Sequence, residues 1–149
     1  MHMILDLLSI VSIGLMVGTE FAVSAFINPV LAKLEPGAEA QATSLFARTL
    51  GRAMPFWYGL NLLLMIMEGV IHRHDSGLGW LAAAPIVWIA VIVFTLLILV
   101  PINNRIAAVD TTAFSEELRL GHTKWDVLHR WRVLALSVAM ISLLIGIHT

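Results

Sequence analysis

LGWLAAAPIVWIAVIVFTLLILV, residues 78–100, carries no ionisable side chain along its whole length. As a helix rising about 1.5 Å per residue, this run is long enough to cross the roughly 30 Å hydrocarbon core of a bilayer. Working outward, three more apolar runs of spanning length flank it, at about 3–28, 55–72 and 122–147. The whole chain repeats the signal. Its apolar fraction is 59% and its mean hydropathy +0.89, and only 13% of residues are charged, about half the share usual in soluble domains. The expected fold is all-α: one domain, residues 1–149, forming an integral membrane four-helix bundle. With both faces of residues 78–100 apolar, that span is expected to be the most lipid-exposed.

Other classes fall away on composition. There is no cysteine, hence no disulfide, thiolate nucleophile or thiolate metal site. The net charge of −1 gives no electrostatic footprint for nucleic acid, so none is expected as a partner. Asp6 stands where a signal peptide would carry basic residues, and Met1 onward reads as mature protein.

Between the spans lie two longer connections. Leu34 to Met54 opens on Pro36-Gly37, and Leu45, Phe46 and Leu50 recur at helical spacing. Ile106 to Leu118 has a similar pattern. Both are expected as short amphipathic helices in the loops, lying at the membrane surface. Asn28-Pro29 is expected to end the first span and Pro101 to close the third. The two long connections hold Lys33, Arg48, Arg52, Arg105, Arg119 and Lys124, whereas the opposite side has only Arg73. Positive-inside bias then puts the long loops in the cytoplasm and both termini outside.

That topology brings the polar residues of all four spans toward one end. Glu20, Ser24 and Asn28 form a stripe at i, i+4 and i+8; Arg48 and Arg52 precede span two; Asn103 and Asn104 follow span three. In Lys124-Trp-Asp-Val-Leu-His-Arg-Trp-Arg132, Trp125, His129 and Arg132 share one helical face. Glu20 lies about 12 Å deeper than Asn28, and a carboxylate at that depth needs a partner, for which Arg132 or His129 is the natural choice. Asp126 and Arg130 form an i, i+4 pair on another face. Glu68 and His72 belong to the opposite end and are expected to form at most a separate pair. Gly14 and Gly18 have the small-xxx-small spacing of close helix packing, so association into dimers or higher oligomers is expected.

Val100-Pro101-Ile102-Asn103-Asn104, then Trp125, His129 and Arg132, with the Glu20–Pro29 region, resemble the anthrone oxygenase-like family of small integral membrane proteins. The expected location is the bacterial inner membrane. In its fungal branch this family oxidises an anthrone to an anthraquinone with O2. By that resemblance His129, Arg132, Asn103 and Glu20 would line the site. Their chemistry makes His129, Glu20 and Arg132 the candidate catalytic residues, with Asn103, Asn104, Trp125, Asn28 and Arg52 the candidates for binding substrate. A carbon acid of this kind needs a base, which a neutral His129 or Glu20 can supply. Arg132 and the Asn103 or Asn104 amides can stabilise an oxyanion, and Trp125 can stack on a flat ring. The expected partners are a lipophilic small molecule and membrane lipids. No cofactor is implied beyond O2 as co-substrate, and a metal ion on Glu20, His129 and His122 is the weaker idea. The same residues would equally serve a binding or transport protein, or a structural subunit whose Glu20–Arg132 pair only locks the helices.

Overall fold

The computed structural model describes residues 2–108 and 115–149. Four helices long and apolar enough to cross a membrane make up nearly all of it: α1 (His2–Leu31), α2 (Pro36–Ile71), α3 (Leu78–Ala107) and α4 (Glu116–His148). They run alternately up and down. Each packs on its neighbour in the chain, and α1 also packs on α4, closing the bundle. The protein is an integral membrane protein by these helices. Of the four, α3 has the smallest buried share, 22% of its most apolar stretch, as the lack of ionisable side chains over residues 78–100 predicts.

Two expected helix ends are not ends. α1 passes through Pro29 and α3 through Pro101, each by way of a π turn, Val23–Ile27 and Thr95–Leu99. The cause is the proline nitrogen, which cannot donate to the carbonyl four residues back. Widening the turn lets the residue before each proline bond five back instead: Asn28 N–H to Val23 O, and Val100 N–H to Thr95 O. Such π turns are frequent at functional sites. Asn103 and Asn104 therefore sit on the helix, not in a loop after it.

The first expected amphipathic segment is helical but continuous with span two: Pro36 starts a helix of 36 residues that runs through Pro55 to Ile71. Pro36 sits at the first helical position, where its missing N–H costs nothing. Residues 109–114, the middle of the second expected amphipathic helix, lie outside the described residues; Ile106 ends up on α3 and Glu116–Leu118 open α4. Of the two glycines with small-xxx-small spacing, Gly14 faces the Met140 methyl of α4, whereas a Cβ at Gly18 would meet nothing within 4 Å.

Ile13, Met16, Met65, Leu81, Trp88, Leu136 and Leu143 form the apolar core at mid-bundle. Leu7, Phe26, Phe56, Leu97 and Trp131 are among the large apolar side chains on the outside, as a lipid-facing surface requires. The core separates two polar clusters. One lies toward the Ala32–Glu35 connection, the other beside the chain termini and the His72–Gly77 turn.

Candidate functional site

On α4, His122, Trp125, His129 and Arg132 recur every three or four residues and so share one face. That face closes one wall of a cavity of about 340 Å³, within the roughly 300–1000 Å³ typical of small-molecule sites. The π turns of α1 and α3 form two more walls, through Val23, Ile27, Thr95 and Leu99, and α2 adds Phe46, Leu50 and Met54. These walls are mostly apolar, and Glu20, Tyr58, His129 and Arg132 gather in one corner.

Glu20 is the centre of that corner. It is 3% exposed, against 1% for His129 and 8% for Arg132. Tyr58 Oη donates to Glu20 Oε1 at 3.1 Å, and Arg132 Nη2 donates to Oε2 at 2.6 Å. His129 Nε2 lies 2.9 Å from the same Oε2. That contact is an ion-pair distance and not an aligned hydrogen bond, so both nitrogens of the imidazole are without a hydrogen-bond partner in the protein. A buried imidazole beside a buried carboxylate is a pair suited to proton transfer. Trp125 packs edge-on to the imidazole, ring centroids 4.6 Å apart, and the Arg132 guanidinium lies 5.9 Å from the Trp125 centroid and 6.0 Å from that of Tyr58. Both contacts are within cation–π range.

Several polar atoms around the cavity have no hydrogen-bond partner in the protein: both ring nitrogens of His129, Trp125 Nε1, Arg132 Nε, and the hydroxyls of Thr43 and Thr95. All five residues line the cavity. Buried polar groups are nearly always satisfied, so this set marks a place where a ligand or water completes the bonding.

Glu20, Asn28, Asn103, Trp125, His129 and Arg132 thus meet around one cavity, as expected from the sequence. Arg52 and Asn104 do not. Both are exposed and absent from the cavity wall, where their neighbours Gly51 and Asn103 stand instead. Each lies about 100° further round its helix than that neighbour, which carries it past the edge of the wall. The Asn28 amide donates to Asp126 Oδ1 at 2.8 Å, tying α1 to α4, and Asn103 Nδ2 donates to Ala47 O at 3.2 Å. Asp126 also takes Arg130 at 2.8 Å, the i, i+4 pair expected from the sequence. Trp125, expected as a free platform for a flat ring, already has His122 nearly parallel to it, 7° off with centroids 6.2 Å apart.

Tyr58, Thr43 and Thr95 went unanticipated. For Tyr58 a signal existed: it extends by one turn the α2 face that carries Asn61, Met65, Glu68 and His72. The two threonines give none, because lone hydroxyls in a membrane helix commonly bond their own backbone.

A family model described as Anthrone oxygenase matches residues 42–142. The chain belongs to the anthrone oxygenase family. Among curated proteins and solved structures none matches it. Tyr58, Asn103, Trp125, His129 and Arg132 fall within the matched stretch; Glu20 precedes it, and is joined to that stretch by the Tyr58 and Arg132 hydrogen bonds.

Proposed function

We propose that this protein is a membrane oxygenase acting on a lipophilic aromatic molecule of anthrone or quinol type, held in the cavity between the four helices. The observation that carries this reading is Glu20. Buried against His129 and bonded by Tyr58 and Arg132, it faces an apolar chamber large enough for a small molecule. Apolar walls suit a polycyclic substrate arriving from lipid, and the polar corner suits its one reactive oxygen.

For an anthrone the step runs as follows. His129 Nδ1 takes a proton from the carbon opposite the carbonyl, and the electron pair spreads into the ring system as an oxyanion. Arg132 Nε and Trp125 Nε1, both without a partner in the protein, donate to that oxygen. The electron-rich anion reduces O2, and a carbon–oxygen bond forms to give a hydroperoxide. Loss of the second proton at that carbon breaks the oxygen–oxygen bond. One oxygen atom stays as the new carbonyl, the other leaves as water. The substrate loses two hydrogens at this carbon and O2 takes up the four electrons, with no further reductant. On this reading O2 is the co-substrate and no cofactor enters.

The Lys and Arg residues cluster at the cavity end, so the chamber opens to the cytoplasm of a bacterial cell and both termini lie outside. With no native cysteine, His74→Cys and Lys33→Cys report the two sides: the first should label from outside and the second only after permeabilisation.

The functional test is anthraquinone formation from an anthrone in air, by the purified chain in lipid nanodiscs. Production well above protein-free autoxidation supports the reading. Production equal to that control, in folded protein, contradicts it.

A further inference from the structure

At the end of the bundle away from the cavity, three side chains from two helices converge. Asp6 comes from the second turn of α1, Glu68 from the last turn of α2, and His72 from the residue just past that helix. Glu68 is completely buried. Its Oε1 accepts from Ser9 Oγ at 2.6 Å, but Oε2 has no hydrogen-bond partner. Asp6 Oδ1 and His72 Nε2 are also buried and unpartnered. His72 Nε2 lies 3.5 Å from Asp6 Oδ1 and 3.6 Å from Glu68 Oε2, and the three atoms all fall within 4.8 Å of one another.

These separations are long for hydrogen bonds, yet close to the edges of a metal coordination shell. Ligand atoms held about 2.1 Å from a tetrahedral ion stand roughly 3.4 Å apart. The imidazole is turned for the purpose. His72 Nδ1 contacts Asp75 Oδ2 at 2.7 Å, which fixes the proton on Nδ1 and leaves the Nε2 lone pair facing the two carboxylates. Three acceptor atoms therefore point at one another with no donor between them, and among the described residues no guanidinium or ammonium bridges them.

We propose that Asp6, Glu68 and His72 form a binding site for one divalent transition-metal cation of the zinc class. Two carboxylate oxygens and one imidazole nitrogen suit a borderline metal such as Zn²⁺ better than Mg²⁺ or Ca²⁺, which favour all-oxygen shells. Water fills the open position, or His2, whose ring centroid is 5.9 Å from that of His72. The ion clasps the start of α1 to the end of α2. It does not touch the oxygenase chamber, so the proposal stands or falls separately from that reading.

The test is Zn²⁺ titration of the untagged, chelator-stripped chain in nanodiscs, with bound metal counted by mass spectrometry. One ion per chain is expected. Glu68→Gln and His72→Gln should each weaken it at least 100-fold, Asp75→Asn about 10–100-fold by loosening the imidazole, and His2→Gln by less than Asp75→Asn. Substituting Co²⁺ should give the visible absorption of a tetrahedral ion in the wild type and lose it in His72→Gln. That second reading decides the matter if Glu68→Gln fails to insert, since His72 sits at the rim. The proposal is overturned if the wild type binds no more zinc than His72→Gln, which would leave an imidazolium shared by two carboxylates. It is overturned equally if His2→Gln abolishes binding and Glu68→Gln does not.

Discussion

Glu20 and Glu68 are both carboxylates buried inside an apolar bundle, 3% and 0% exposed, but their surroundings differ. Glu20 has a guanidinium, a phenol and an imidazole against its two oxygens, and beyond them a chamber. Glu68 has one serine hydroxyl on one oxygen, and its other oxygen meets only Asp6 and His72. The first charge is neutralised from within the chain, and what the site lacks is a molecule. The second has no guanidinium or ammonium against it among the described residues, only the His72 imidazole. A buried polar cluster is thus informative through the sign of what is missing: unpartnered donors with space around them point to an oxygen-bearing ligand, unpartnered acceptors without space point to a cation.

The sharpest way to break this contrast is to delete the internal cation. Arg132→Met should destabilise the fold by about 3–5 kcal/mol, because it strands Glu20 in the interior. Glu68→Gln, measured with chelator present, should change stability by less than about 1 kcal/mol, since it removes an uncompensated charge and keeps the serine hydrogen bond. Denaturant titration of both variants in the same micelles checks this; a larger loss for Glu68→Gln would invert the comparison. The double variant Glu20→Leu/Arg132→Met should recover most of the Arg132→Met loss.

Next in size is a packing change near the terminal cluster. A Cβ at Gly146 would stand 2.6 Å from Leu81 Cγ and 3.0 Å from the Leu81 nitrogen, so Gly146→Ala should cost about 1–3 kcal/mol through forced separation of α3 and α4. Its thermal midpoint should fall while the cavity keeps its ligand affinity. Asn103→Ala should cost about 1 kcal/mol, the net worth of its bond to the Ala47 carbonyl. The smallest effect belongs to Arg52. Because it is exposed and off the cavity wall, Arg52→Ala should leave stability within about 0.5 kcal/mol and turnover unchanged. A tenfold activity loss there would return it to the site.

How much of this was legible follows the physics of each signal. Membrane class was plain, because residues 78–100 have no other use in water. The Trp125–His129–Arg132 face was legible from spacing alone, and Glu20 was placed opposite it because an acid at that depth cannot stand unpaired. The π turns were not legible. Asn28-Pro29 and Val100-Pro101 read as breaks, yet a helix in lipid must bond every backbone group internally and re-forms its hydrogen bonds around the proline. The join between residues 50 and 55 failed for the same reason, since a helix has cause to continue wherever nothing else can satisfy its backbone. Arg52 and Asn104 were lost to phase: the right loop end, the wrong side of the helix. Asp6 beside Glu68 depended on how α1 is rotated about its own axis, which a nearly uniform apolar sequence does not set.

The most direct test of the central claim is turnover of His129→Gln in nanodiscs, per folded molecule, with anthrone and air. Glutamine keeps polarity and approximate size next to Glu20 but removes the base. The account predicts normal insertion and helicity with anthraquinone formation down about 10²–10⁴-fold, the usual worth of a positioned general base. Wild-type turnover in a well-folded His129→Gln protein would contradict it and leave Glu20 as the base.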